Sequence, residues 1–137
     1  MTTPTFSIGS KAQLSKTVSE RDIDLVAEVT GDTNPVHMDE AFAQKTRFQG
    51  RIAHGILSVG LISAVLGTKL PGPGGIYLNQ SVRFTRPVRI GDTITAEVEV
   101  RDWDPEKSIL TLFTRCFNQD GKDVVKGEAT LLVEAVE

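Results

Sequence analysis

The side chains able to do chemistry are concentrated in a short central stretch. Asp32 and His37 flank Asn34-Pro35. A carboxylate and an imidazole a few residues apart can converge if the chain turns at Pro35. Together they can hold one water and move protons between it and a substrate. Asn34 suits the same loop by bonding nearby backbone. The same residues also suit a bare turn, with His37 as a surface side chain. Further on, His54-Gly55 opens an apolar segment. The first N–H groups of a helix are unpaired and lie at its positive end. An N–H at Gly55 can therefore receive a carbonyl oxygen that becomes negative during reaction. An ordinary cap, with His54 packed at the helix entry, fits that dipeptide too. Acid/base groups and an oxyanion site together define a reaction class that neither defines alone.

The elements that must position these residues fall into two halves. Lys11 to Val18 alternates and predicts a first strand. Ser19 then caps a helix, with Asp22 three residues later and Gly31 as its stop. Pro35 prevents that helix from continuing. Asp39 caps a short helix to Lys45, and Thr46 to Ala53 reads as irregular. His54 to Leu70 is apolar almost all round, which predicts a buried helix. Gly60, Ser63 and Gly67 form a row of small residues along it. Ser63 can position the base or the water, or bond the carbonyl four residues back. From Ile76 the period is two. Strands are predicted at Ile76 to Val88, Thr93 to Trp103, Ser108 to Asn118 and Lys122 to Glu134, with turn residues between them. Short connections predict antiparallel meander pairing. The fold class is α+β, a sheet crossed by one helix.

Composition excludes several classes. A chain of 137 residues suits one domain, residues 1–137. A net charge of −3 with no basic block argues against a nucleic-acid partner. The longest apolar run is too short to cross a bilayer, and the first ten residues do not read as a secretion signal. One cysteine, Cys116, excludes an intrachain disulfide framework and fits a packing role in a reducing, cytoplasmic setting. Two histidines and scattered acids offer no zinc or calcium spacing, so no metal is expected. Pro71 to Gly75 follows a helix and reads as a turn, not a phosphate loop.

Gly31-Asp32-Thr33-Asn34-Pro35-Val36-His37-Met38-Asp39, followed by Ile52-Ala53-His54-Gly55-Ile56-Leu57, resembles the signature of MaoC-like (R)-specific enoyl-CoA hydratases. The single-domain bacterial hydratases linked to polyhydroxyalkanoate are the nearest group. The resemblance continues through Leu70-Pro71-Gly72, Ile76-Tyr77-Leu78, Gln80-Ser81, Arg86-Pro87-Val88 and Gly91-Asp92. It implies the hot-dog fold, an antiparallel sheet wrapped around a long central helix, with an overhanging active-site loop. It implies a homodimer that joins two sheets edge to edge, with active sites at the subunit interface. By position it makes Asp32 and His37 the catalytic pair and the Gly55 N–H the thioester oxyanion donor. Ser63 also matches a site position, and Asn34 and His54 become substrate-positioning residues. The implied reaction is reversible hydration of a trans-2-enoyl-CoA to a (3R)-3-hydroxyacyl-CoA, with Asp32 favoured as base and His37 as acid. No cofactor is implied, since CoA belongs to the substrate. Its anionic phosphates call for basic groups at a pocket rim, and Arg83, Arg86, Arg89 and Lys107 are the candidates. Three alternatives stay open at this point. A 3-hydroxyacyl-acyl-carrier-protein dehydratase uses the same chemistry. A thioesterase on the same fold would aim water at C1. A non-catalytic acyl-binding module would lack an acid/base pair.

Overall fold

Ser19 separates the first strand from the first helix, and it does so through its side chain. The computed structural model describes residues 4–135. Strand β1 spans Lys11–Thr17 and helix α1 spans Glu20–Thr30. Ser19 Oγ accepts from the Asp22 amide at 3.1 Å, and Asp22 Oδ2 accepts from the Ser19 amide at 2.9 Å. This capping box satisfies two donors that the helix cannot pair internally. Burial alone would raise the Asp22 carboxyl. The Ser19 amide, the Ser19 hydroxyl and Lys16 outweigh it and hold the group below the usual carboxylate value. Gly31 ends the helix at φ 79°, a left-handed conformation that favours glycine.

Pro35 does more than block a helix. It occupies the first turn of a four-residue helix, α2 (Pro35–Met38), where its missing N–H costs nothing. The breaker rule alone hides that element. Asp39 then caps α3 (Glu40–Gln44), as the residue types predict. The long helix α4 runs from Gly55 to Thr68, with His54 as its N-cap.

Four further strands follow: β2 (Ile76–Phe84), β3 (Thr93–Asp104), β4 (Ile109–Phe117) and β5 (Asp123–Leu132). The sheet order is β1-β3-β4-β5-β2, antiparallel throughout. Strands β3 to β5 form the expected meander. Strand β2 does not join it next to β3, but pairs with β5 at the far edge. It also ends four residues early. Pro87 cannot donate to a ladder, and it pushes Arg86 away from regular pairing. Thr85 still donates its amide to the Val124 carbonyl of β5 at 2.9 Å, Arg86 to Val88 leave the sheet, and all four line the site.

Ile94, Ala96, Val98 and Val100 of β3 alternate inward, as do Leu110, Leu112, Thr114 and Cys116 of β4. Helix α4 packs Ser58, Ile62, Val65 and Leu66 against this face. Burying one such Leu or Ile stabilises the fold by about 1.5–3 kcal/mol. The sheet wrapped around this helix is the hot-dog arrangement. Burial all round α4 is not observed within one chain. Its opposite side, with Ile56, Gly60 and Gly67, is exposed. Cys116 is a packing residue as expected. Its thiol donates to the Ser58 carbonyl at 3.4 Å, and burial pushes its pKa up to about 12. Among the described residues no helix is long and apolar enough to cross a membrane.

Candidate active site

The segment that reads as irregular, residues 46–53, is what holds His37. Ile52 forms an antiparallel bridge with Arg89, and the Ala53 amide donates to the Val88 carbonyl at 2.7 Å. On its other side the Ile52 amide donates to the Val36 carbonyl at 3.3 Å. The Ile52 carbonyl then lies 2.7 Å from His37 Nδ1. A carbonyl can only accept, so Nδ1 carries the proton and Nε2 remains for chemistry. Arg51 steadies the same turn. Its Nε donates to the His37 carbonyl at 2.6 Å, and its guanidinium pairs with Glu20 at 2.9 Å and Asp24 at 3.5 Å on α1. Sequence reasoning passes over Arg51, because its partners are brought to it only by the fold.

Asp32 is fixed by its own loop. Its amide donates to Thr30 Oγ1 at 3.0 Å, and its Oδ1 accepts from the Asn34 amide at 3.2 Å. Asn34 Oδ1 accepts in turn from the Val36 amide at 3.1 Å. Asn34 is thereby spent on capping α2 and does not line the cleft, so its observed role is to fix the loop. The Asp32 carboxylate and one ring nitrogen each of His37 and His54 lie within 4.8 Å of one another. That separation suits a single water bridging carboxylate and imidazole through two ordinary hydrogen bonds.

His54 joins this cluster from behind. Like Asp32 it does not line the cleft, but Asp32 is exposed whereas His54 is 2% exposed and so cannot touch substrate as a positioning group. Its Nε2 lies 2.9 Å from the Asp32 carbonyl oxygen. Its ring stacks on His37, with centroids 4.0 Å apart and planes tilted by 31°. The carboxylate and two imidazoles have the composition of a metal site, which sequence spacing does not suggest. Their geometry does not favour one. A metal shared by two imidazoles lies in both ring planes, about 2.0–2.1 Å from each nitrogen. Rings stacked this closely and this nearly parallel cannot meet that condition unless one of them turns.

His37 and Gly55 both line a cleft of about 470 Å³, walled by Phe48, Ile56, Phe84 and Val88. The Gly55 amide makes no hydrogen bond among the described residues. A Cβ on Gly55 would sit 2.5 Å from Phe84 Cε1, so the ring closes over the helix end only because residue 55 is glycine. Ser58, one turn further along α4, also lines the cleft. Its i+3 spacing from Gly55 is the signal that marks it. Ser63 does not line the cleft. It lies eight residues beyond Gly55, about 12 Å along the helix axis.

The basic candidates separate clearly. Arg86 lines the cleft, with Nη1 donating to the Asp123 carbonyl at 2.8 Å. Arg47, which sequence reasoning omits, lines it as well. Neither forms an ion pair with a carboxylate among the described residues. Arg83 does not line the cleft, and strand alternation places it on the face opposite its neighbour Phe84. Lys107 sits in the β3–β4 turn, at the other end of the strands from Val124 and Val125, which line the cleft. Arg89 is occupied in donating to the Phe48 carbonyl at 2.6 Å.

A family model described as a MaoC-like domain matches residues 6–115. The chain belongs to the MaoC-like domain family. The resemblance carried by residues 31–39 and 52–57 is therefore borne out. This MaoC-like chain is 58% identical over 127 residues to an (R)-specific enoyl-CoA hydratase of Rhodospirillum rubrum, across 93% of this chain and 88% of that one. The unliganded R-hydratase PhaJ1 from Pseudomonas aeruginosa shares its fold with a TM-score of 0.88 and 50% identity, covering 96% and 89% of the two chains. The (R)-hydratase of Aeromonas caviae involved in PHA biosynthesis superposes with a TM-score of 0.90 at 45% identity, covering 93% and 97%.

Proposed function

We propose that this protein catalyses the reversible hydration of a trans-2-enoyl-CoA to a (3R)-3-hydroxyacyl-CoA. The observation that carries this reading is the meeting of His37 and the free Gly55 amide in one apolar cleft, with the Asp32 carboxylate beside His37. The family relatives act on this substrate class by name. In the hydration direction, Asp32 and His37 hold one water. Asp32 removes its proton as the oxygen bonds to C3. The C2–C3 π electrons move toward C2, and negative charge gathers on the thioester oxygen. The Gly55 amide and the N-terminus of α4 stabilise that charge. The His37 imidazolium then gives its Nε2 proton to C2. Proton transfer from Asp32 to His37 resets the pair.

Arg47 and Arg86 meet the CoA phosphates at the rim. The active unit is a homodimer in the cytoplasm. The two sheet edges support a dimer. Edge strand β1 carries Lys11 and Lys16, charges that discourage further pairing. Edge strand β2 instead exposes Ile76, Leu78, Val82 and Phe84. Its apolar side chains and the bare face of α4 need a cover that a second copy supplies.

Incubation with crotonyl-CoA tests the reading. Loss of enoyl absorbance and an (R)-configured 3-hydroxybutyryl product are expected. Unchanged absorbance, an (S) product, or release of free thiol instead of hydration would refute it.

A further inference from the structure

Among the described residues, one buried side-chain nitrogen has no hydrogen-bond partner, and it belongs to His54. The unpaired atom is Nδ1. The other ring nitrogen, Nε2, faces the Asp32 carbonyl oxygen at 2.9 Å. That carbonyl can only accept, so the proton sits on Nε2 and Nδ1 is bare. A proton on Nδ1 would find no acceptor. An unpaired buried polar atom is unfavourable, and a phenylalanine would fill the same space without one. What the histidine alone supplies is the Nε2–H bond to Asp32.

We propose that His54 is a positioning residue for the hydration reaction. Its Nε2–H clamps the backbone of Asp32, and its ring backs that of His37. One side chain thus sets the spacing of both partners that hold the water. It does so from the N-cap of α4, one residue before Gly55. The loop pair and the oxyanion donor are therefore held in one frame. His54 keeps its Nε2 proton and transfers none during turnover. This inference rests on the acid/base reading of Asp32 and His37.

Two measurements test it. The first is the ¹⁵N spectrum of the native protein labelled at histidine. A protonated Nε2 and a bare Nδ1 are expected for His54, and a protonated Nδ1 overturns the clamp. The second is kinetic. His54→Phe keeps the ring packing and loses the donor. Its kcat should fall about 10²-fold, the size expected for an ångström-scale misplacement. KM and the position of the pH profile should stay near native. His54→Gln returns an N–H to the ε position and should recover most of the loss. Native kcat in His54→Phe overturns the proposal. So does an equal loss in folded His54→Gln, or a pH limb that disappears. If His54→Phe does not fold, the spectrum and the His54→Gln rate decide. Full activity in Asp32→Asn would instead refute the pair itself, while leaving the tautomer measurement valid.

Discussion

His37 Nδ1 donates to the carbonyl of Ile52 across 2.7 Å, and this bond commits the opposite nitrogen to chemistry. The donor is a side chain on α2, and the acceptor belongs to a segment with no regular structure of its own. Substituting His37 by Gln removes the imidazole, and Asp32→Asn removes the carboxylate. Asn can still accept the residue 34 amide, so the loop should survive. Each single variant is expected to lose about 10²–10⁴-fold in kcat on crotonyl-CoA, with a near-native melting temperature. The double variant should be no more than slightly worse than the poorer single one, because the two groups act on one water. Full additivity of the two losses would argue against a shared water.

Gly55 and Phe84 test the oxyanion donor separately from the pair. Gly55→Ala alone forces Phe84 to move, since the new Cβ meets the ring at 2.5 Å. Removing the ring first, with Phe84→Ala, opens the space. In that background Gly55→Ala keeps the N–H and Gly55→Pro deletes it, at a first-turn position where proline is tolerated. The proline variant should be roughly 10²–10³-fold slower in kcat than its alanine counterpart, the usual cost of one lost oxyanion donor. Equal rates would show that the amide does not serve the transition state.

These two tests concern the part of the site that is legible in sequence. Asp32, Asn34 and His37 sit within one turn of chain, and Gly55 opens a helix, so local rules reach them. Ser19, Gly31 and Asp39 are likewise local signals and mark real helix ends. What escapes is set by tertiary placement. Arg51 matters through partners on α1, more than two dozen residues away. Alternation identifies β2 as a strand but says nothing about which neighbour it takes, and its true partner is β5. An almost uniformly apolar helix does not reveal which side meets the cleft. Ser58 therefore goes unremarked, while the small-residue row draws attention to Ser63.

Arg47 and Arg86 predict a salt-dependent KM. Both line the cleft and neither is paired with a carboxylate among the described residues. Contacts between exposed charges are worth about 0.2–1 kcal/mol each. Arg47→Gln should therefore raise KM for crotonyl-CoA by up to roughly fivefold, with kcat unchanged. The slope of KM against salt should flatten. Crotonyl-pantetheine, which lacks the nucleotide, should show no difference between native and variant. Arg83→Gln and Lys107→Gln should leave the CoA kinetics unaltered.

Cys116 predicts a loss of stability in base. Burial pushes its thiol up to about 12, whereas an exposed thiol titrates near 9.0. Between those values the unfolded chain has lost the proton that the folded chain still holds. Stability from this group is therefore full below about pH 9 and falls as pH rises toward 12. Urea melts across that range should show a steeper decline for the native protein than for Cys116→Ala, whatever the offset caused by the smaller side chain. The buried thiol should also resist iodoacetamide at pH 8 unless urea is present. Rapid alkylation of the folded protein would contradict its placement against Ser58.

The two sheet edges predict how the chain assembles. Strand β1 is held to β3 on one side, with Ser15–Thr95 and Thr17–Thr93 hydroxyl contacts, and its Lys11 and Lys16 discourage pairing at the free edge. Strand β2 leaves Ile76 and Leu78 more than half exposed, at 55% and 52%. At the other end of β2, beside Phe84, Ile56 at the start of α4 is 54% exposed. Sedimentation should therefore find a species of twice the chain mass. A charge placed in the β2 edge, Leu78→Lys, should shift it toward monomer, whereas Gln13→Lys on β1 should not. The monomeric variant should retain its far-ultraviolet circular dichroism and lose most hydratase activity, because the bare face of α4 would then be open to water. A fully active monomer would show that one chain completes the site by itself.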